Sequence, residues 1–213
     1  MKRVLLALAL MCGPAMANDI LIVDSDTLDV DGTRYRINGI DAPEAAQKYK
    51  TERGKSWACG DAATNALYAL TNGKTVYCKT LATDSYGRDI ARCYADGRDI
   101  AASMVRQGMA WAFLKFSDEY EHLQNEARTK KRGIWRGPSE PAWIYRQTKW
   151  ADTKQQAPKG CPIKGNISAN GKIYHPPWSK WYSRTKINTS KGERWFCNEE
   201  EAVKAAWRAP RWK

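Results

Sequence analysis

The sequence has few histidines, no closely paired cysteines and no long apolar run beyond its start, and each shortage excludes a class of protein. Its 213 residues include two histidines and no Cys-x-x-Cys pair, which argues against a zinc cluster. After residue 17 no apolar stretch approaches the length of a transmembrane helix. The sequence therefore predicts neither a membrane-spanning protein nor a zinc-cluster protein.

Acidic residues are also in the minority. There are 35 Lys and Arg against 23 Asp and Glu, which gives a formal net charge of +12. A basic protein attracts polyanions, of which nucleic acid is the commonest, although a high net charge alone is equally compatible with an ordinary basic protein. Ten Trp and ten Tyr add rings that could stack on bases, while most are expected to serve packing.

The first 17 residues are typical of a cleaved signal peptide. Lys2 and Arg3 form a positive start, and residues 4–12 form an apolar segment too short to span a bilayer. Residues 15–17 (Ala-Met-Ala) form a cleavage site before Asn18, and removal of two cations lowers the net charge from +12 to +10. We therefore expect a periplasmic or secreted protein without membrane insertion after cleavage.

Export implies an oxidising compartment, in which disulfides form. Five cysteines follow the signal peptide, an odd number that leaves at least one thiol free or paired between chains: Cys59, Cys78, Cys93, Cys161 and Cys197. Cys78 and Cys93 fall on neighbouring predicted strands and point inward, so we expect them to pair, with Cys59 as a competing partner. Cys161 and Cys197 bracket a small C-terminal segment and are expected to pair. A zinc site that uses His175 is the alternative there.

Hydrophobic periodicity predicts an α+β protein with two parts. Residues 20–136 contain three strands, a helix at 60–71, two strands at 74–81 and 89–95, a helix capped by Asp99 and a helix that starts near Asp118. Five short strands beside three helices predict a five-stranded OB-fold β-barrel for residues 18–136. Three prolines and many polar residues indicate a linker at 137–160, followed by a small α+β module at 161–213.

Three islands of charged residues lie on turns at strand ends: Asp24-Ser25-Asp26-Thr27, Arg36 leading into Asp41-Ala42-Pro43-Glu44, and Asp84-Ser85-Tyr86-Gly87-Arg88. Phosphodiester hydrolysis needs this mixture, because carboxylate oxygens hold Ca²⁺ or Mg²⁺ and guanidinium groups neutralise phosphate charge. Each island alone is weak evidence, since Asp in a turn usually serves the turn. Pro43 is more informative, because it holds the preceding residue extended.

The order of these motifs resembles the staphylococcal nuclease family. The resemblance covers residues 20–136 and rests on several motifs at family-like spacing: VDSDT, RINGIDAPE, DSYGR, YADGR, VRQGMA and EARTKKRGIW. It implies a calcium-dependent nuclease with an OB-fold that cuts DNA and RNA and leaves 3′-phosphate ends.

The resemblance also implies roles for individual residues. Asp26 and Asp41 match the two metal-binding carboxylates, and Ala42 matches the residue that gives a backbone carbonyl to Ca²⁺. Glu44 matches the general base that orients the attacking water. Arg36 and Arg88 match the arginines that clamp the phosphate and, for Arg88, assist departure of the 5′ oxygen. Tyr86 is retained as a substrate-binding ring.

The sequence departs from the family pattern in two places. Ser25 stands where Gly is common, which could alter the turn. Residues 111–116 (WAFLKF) lack tyrosines that some members use beside the bound nucleotide, so the resemblance does not extend to base stacking or to a preference for chain ends.

The C-terminal segment resembles a small appended module sometimes called the sunset domain, on the pieces IKGN, IYH and WFC. It is interpreted either as an accessory contact with nucleic acid or cell wall or as a stabilising addition. Two alternatives to a monomeric nuclease remain: an OB-fold module that binds nucleic acid without cutting it, and an interaction protein of the cell envelope.

Overall fold

The computed structural model describes residues 18–84, 88–115, 117–151, 155–179 and 181–210, and of residues 149–151 the backbone alone. The proposed signal peptide lies outside these ranges. The strands are β1 Ile20–Asp24, β2 Thr27–Val30, β3 Thr33–Ile37, β4 Ile40–Asp41, β5 Tyr49–Lys50, β6 Ser56–Trp57, β7 Val76–Thr83, β8 Asp89–Ala95, β9 Arg98–Asp99, β10 Trp111–Ala112, β11 Ile163–Ser168, β12 Gly171–His175 and β13 Arg194–Phe196. The helices are α1 Cys59–Thr71, α2 Ile100–Arg106, α3 Glu121–Thr129, α4 Ala142–Ala151 and α5 Glu199–Lys204.

The main sheet has six strands: β1-β2-β3-β8-β7 follow one another in this order, and β9 pairs with β8. Neighbouring strands of this sheet pair antiparallel, except β3 and β8, which run parallel. The chain segment that connects these two strands includes α1 and β7. The tight turn between β2 and β3 depends on Asp31 and Gly32, both at positive φ (50° and 83°). This arrangement is the expected OB-fold, and α1, α2 and α3 are its three expected helices.

The barrel core is filled by the inward residues of the strands and the apolar faces of the helices. Leu28, Ile37, Leu67 and Met104 are among its fully buried side chains. Asp99 caps α2 through the N–H of Ala102, as expected. The expected start of α3 near Asp118 is wrong, since the helix begins at Glu121 without a side-chain cap.

Both expected disulfides are present. Cys78 and Cys93 lie opposite each other in the β7–β8 ladder and are bonded. Cys161 and Cys197 join the segment before β11 to the end of β13. Cys59 is fully buried at the start of α1, where its thiol donates to the Gln47 carbonyl at 3.1 Å. Burial raises the pKa of this thiol to about 12, so Cys59 is a structural residue and does not compete for a disulfide.

The segment expected to be a linker contains α4, a ten-residue helix. Its approach is fixed by the Glu140 carbonyl, which accepts from Gln47 Nε2 at 2.8 Å and from the Tyr49 hydroxyl. Trp143 packs edge-on against the buried ring of Trp111, with centroids 6.1 Å apart. The polar composition of 137–160 concealed the apolar face that holds this helix against the barrel.

The C-terminal part is a three-stranded antiparallel sheet in the order β12-β11-β13, with α5 beside it. Asn198 caps α5 by accepting the Glu201 N–H at 2.8 Å. The zinc alternative is excluded, because Cys161 and Cys197 are bonded to each other. His175 is buried and its Nδ1 lies 3.3 Å from the Ser179 hydroxyl. In the described part of the chain, no helix has both the length and the apolar character needed to cross a membrane.

Burial of His175 predicts an acid-sensitive C-terminal part. Burial, together with the charge of Lys164, lowers the pKa of His175 from 6.5 to about 4. At pH values between 4 and 6.5, His175 is protonated in the unfolded chain and neutral in the folded chain. The free energy of unfolding therefore falls as the pH falls from 6.5 to 4. We expect His175→Gln to remove up to about 3 kcal/mol of this pH-dependent loss in the free energy of unfolding, measured by urea unfolding. Exposed His122→Gln is the control, and an equal slope in wild type and both variants would contradict the assignment.

Candidate active site

The first part of the site is the turn between β1 and β2. Asp24 ends β1 and Asp26 precedes β2, so the two carboxylates leave one turn side by side. Ser25 fixes this turn from within: its hydroxyl donates to the Pro43 carbonyl at 2.6 Å, and its N–H donates to Asp24 Oδ1 at 2.8 Å. The replacement of the usual Gly by Ser thus ties the turn to the segment that carries Asp41 and Glu44.

The second part is a bridge of charges between β3 and β4. Arg36 donates to Asp26 Oδ1 at 2.5 Å and to Asp41 Oδ1 at 2.9 Å, one contact from each terminal nitrogen. The Ala42 N–H points at Asp26 Oδ2 at 3.3 Å. Two strand ends are therefore held together by one guanidinium, a geometry that a lysine ammonium cannot reproduce with two parallel donors.

Glu44 lies in the loop after β4, where α1 presses against the backbone. A Cβ atom on Gly60 would lie 1.9 Å from the Glu44 carbonyl oxygen, so only glycine permits this approach. The Glu44 N–H donates to Gln47 Oε1 at 3.0 Å, which closes the loop. These contacts place the Glu44 carboxyl beside the two aspartate turns.

Arg88 lies at the start of β8 and is buried. It donates through Nε to Asp84 Oδ2 at 2.7 Å and contacts the same oxygen through Nη2 at 2.6 Å. Two residues from the C-terminal part also contact it: Glu199 Oε1 at 3.8 Å, and the ring of Trp178, whose centroid is 3.9 Å from the guanidinium carbon. Arg88 of the barrel is thus held from both parts of the chain.

Arg146 is a third arginine of the site, which sequence reasoning missed. It projects from α4 and makes contacts of 3.0–3.1 Å with both carboxylate oxygens of Asp41, and its Nη1 donates to Glu44 Oε1 at 2.6 Å. The polar composition of residues 137–160 hid this role. The one available signal is the amphipathic spacing of AWIYRQTKW within the predicted linker.

The four carboxyls of the site are buried, as is Arg88, whereas Arg36 and Arg146 are half-buried. Relative exposure is 8% for Asp24, 5% for Asp26, 0% for Asp41, 5% for Glu44 and 6% for Arg88. Such burial penalises charge unless partners offset it. It raises the pKa of Asp24 to about 7, with the negative charge of Asp26 as the second cause. For Asp26 burial acts in the same direction, but the charge of Arg36, with Arg146 and Arg88, holds the pKa below its ordinary value.

The pKa of Glu44 is also raised. Burial, and then the charge of Asp24, raises its pKa well above the ordinary value, although Arg146 opposes the shift. While Asp24 is ionised, the buried Oε2 of Glu44 accepts no hydrogen bond from the described residues. When Asp24 is protonated, its carboxyl can donate to the Glu44 carboxylate. A buried carboxylate oxygen without a donor is suited to hold a cation or a water molecule.

The donor types are those that a hard divalent cation takes. The oxygens belong to carboxylates, no arginine in the described ranges pairs with Asp24, and Glu44 keeps one free oxygen. Within those ranges no three acidic, histidine or cysteine side chains converge on one point. The guanidinium groups of Arg36 and Arg146 lie between the carboxylates and neutralise them. Asp24 is an acid of this site to which the sequence analysis gave no role.

The structure thus brings together five of the residues that the sequence singled out: Asp26, Arg36, Asp41, Ala42 and Glu44. Arg88 lies in a second cluster with Asp84. Tyr86 lies outside the described residues. Trp111 and Phe113, from the stretch that lacks tyrosines, pack on Trp143 of α4, so these rings serve the contact between the barrel and α4.

Comparison with known proteins gives the site its context. A family model described as "Staphylococcal nuclease homologue" matches residues 34–137. A second family model, described as ArfC, matches residues 145–209. The expected resemblance of the C-terminal part to the sunset domain is therefore not supported. Arg146 falls inside the second matched region although its side chain lies in the site of the first.

Three relatives extend the comparison. An "Uncharacterized endonuclease" of Escherichia coli is 34% identical over 147 residues, which cover 65% of this chain and 90% of that protein. "Protein ParB" of Escherichia coli is 32% identical over 165 residues, 67% of this chain and 87% of that protein. "Staphylococcal-like nuclease CAN1" of Arabidopsis thaliana is 29% identical over 119 residues, 54% of this chain and 34% of that protein. With its OB-fold, buried acids and bridging arginines, the chain belongs to the staphylococcal nuclease homologue family and is a nuclease.

Proposed function

We propose that this chain is an exported, calcium-dependent endonuclease that hydrolyses phosphodiester bonds of DNA and RNA. The observation that carries the proposal is the burial of Asp26, Asp41 and Glu44 in one cluster with Arg36. Such a cluster costs folding free energy, since buried charges are expensive even when paired. A site that binds phosphate and a cation explains why these charges lie together.

Each residue has a distinct part in this mechanism. Glu44 accepts a proton from the attacking water and aims the water at phosphorus, using the carboxylate oxygen that Arg146 does not contact. Arg36 neutralises charge that builds on the phosphate oxygens in the transition state. Arg88 binds the phosphate and assists departure of the 5′ oxygen, which leaves a 3′-phosphate end.

The cation is proposed to be Ca²⁺, held by the carboxylates of Asp26 and Asp41 and the backbone carbonyl of Ala42, with Asp24 as an additional acid. When bound, it supplies Lewis-acid stabilisation of the phosphate charge. Oxygen donors suit Ca²⁺ and Mg²⁺ alike, and Ca²⁺ is preferred on the family resemblance. The two disulfides support an oxidising location, consistent with export by residues 1–17.

Glu44→Gln is expected to abolish most cleavage. Glutamine keeps the size of the side chain but cannot accept the proton from water, so turnover should fall by about 10²–10⁴. Exposed Glu121→Gln is the matched control. The assay is digestion of heat-denatured DNA by residues 18–213 in Ca²⁺ and in EGTA. Binding of DNA without cleavage in Ca²⁺ would favour the non-catalytic OB-fold alternative.

Arg36→Lys is expected to lower kcat/KM by about 10² or more, because one ammonium group cannot bridge two carboxylates and a phosphate. Exposed Arg98→Lys makes the same chemical change away from the site. The measurement is steady-state cleavage of a fluorescent single-stranded oligonucleotide. Near-full activity of Arg36→Lys would show that this arginine does not clamp the phosphate.

Arg146→Met is expected to make stability depend more strongly on Ca²⁺. Without the guanidinium, Asp41 and Glu44 keep uncompensated charge, which should cost about 3 kcal/mol in EGTA, or roughly 6–12 °C in Tm. Ca²⁺ should bind the uncompensated negative charge of Asp41 and Glu44 more tightly and restore much of the lost stability. The measurement is Tm across a Ca²⁺ titration, with exposed Arg184→Met as control. An equal Ca²⁺-induced shift in wild type and Arg146→Met would contradict the prediction.

A further inference from the structure

A cavity of about 360 Å³ lies where the barrel, α4 and the C-terminal part meet. Its walls include Glu44 and Arg146, the two residues joined at the proposed site of water attack. A ligand in this cavity is therefore adjacent to the bond that the site would cut. Among the described residues that line it are neither Arg36 nor Arg88 of the expected phosphate clamp, so it is a separate compartment of the same site.

The cavity is suited to an anion that carries a ring. Lys48 and Arg184 contribute two positive charges to its walls, since the charges of Arg146 and Glu44, which also line it, are paired with each other. Lys48 and Arg184 are both exposed, the first in the loop before β5 and the second in the C-terminal part. Tyr145 and Trp178 supply aromatic rings, which stack on any base. A volume in the range of small-ligand pockets accommodates one nucleotide.

Contacts between the two parts hold these walls in place. Glu199 of α5 pairs with Arg34 of β3 and lies 3.8 Å from Arg88, and Trp178 stacks on Arg88 at 3.9 Å. Arg146 of α4 is held by Asp41 and Glu44. The cavity is thus built by packed elements, and the C-terminal part forms one of its walls.

We propose that this cavity is a nucleotide subsite. In it the C-terminal part helps to bind the one nucleotide of the strand that adjoins the scissile phosphate. The base stacks on Tyr145 and Trp178, and Lys48 and Arg184 contact the adjoining phosphates. The cavity admits one unpaired base, so the substrate class is single-stranded or locally unpaired nucleic acid. The inference rests on the proposed function for its position in the reaction, but binding itself requires no cleavage.

The test is binding of a fluorescein-labelled single-stranded oligothymidylate in EDTA, followed by fluorescence anisotropy. Lys48→Glu and Arg184→Glu reverse a wall charge, and exposed Lys191→Glu makes the same change elsewhere in the C-terminal part. We expect each wall variant to raise Kd about tenfold, and Lys191→Glu to raise it less than about threefold. Equal effects of all three variants would indicate general attraction to a basic surface and would overturn the subsite.

Stacking is tested with Tyr145→Ala and an oligonucleotide that carries abasic positions. Wild type should lose affinity for the abasic strand by about tenfold, and Tyr145→Ala should bind the two strands more nearly equally. Equal wild-type affinity for both strands would overturn the proposal. If the chain cleaves DNA in Ca²⁺ while Lys48→Glu and Arg184→Glu keep wild-type Kd, the subsite fails and the nuclease stands. If those variants lose affinity but no preparation cleaves, the subsite stands and the proposed function fails.

Discussion

The rest of the structure depends on the neutralisation of Asp41, which has no exposure to solvent. Arg36 reaches it from the barrel and Arg146 reaches it from α4, at 2.9–3.1 Å. An acid buried to this degree stays ionised only when partners offset the loss of hydration. The position of α4, and with it the path of the chain into the C-terminal part, is therefore coupled to the charge state of the site.

The same constraint explains why the C-terminal part belongs to the site. Arg34 and Arg88 of the barrel both engage Glu199, and Trp178 covers Arg88. Charged and aromatic groups from the second matched family region thus surround the acids and arginines of the first.

Sequence reasoning predicted the barrel well because its signals are local. Strand alternation, the Asp31-Gly32 turn and the Asp99 cap each act within a few residues, and the cysteines that pair are cross-strand neighbours or lie at the ends of the C-terminal sheet. It missed Arg146, because contacts between residues 102 and 105 positions apart leave no local pattern. The function of Ser25 was missed for the same reason, since its partner Pro43 lies 18 residues away.

The most direct test of this shared site is a double-mutant cycle between Asp41→Asn and Arg146→Met, measured by urea unfolding in EGTA. Because the two side chains are in contact and buried, the account predicts that their effects are not additive, with a coupling free energy of about 1–3 kcal/mol. Additivity within about 0.5 kcal/mol would show that Arg146 is energetically independent of Asp41, and would contradict a site built by both parts of the chain.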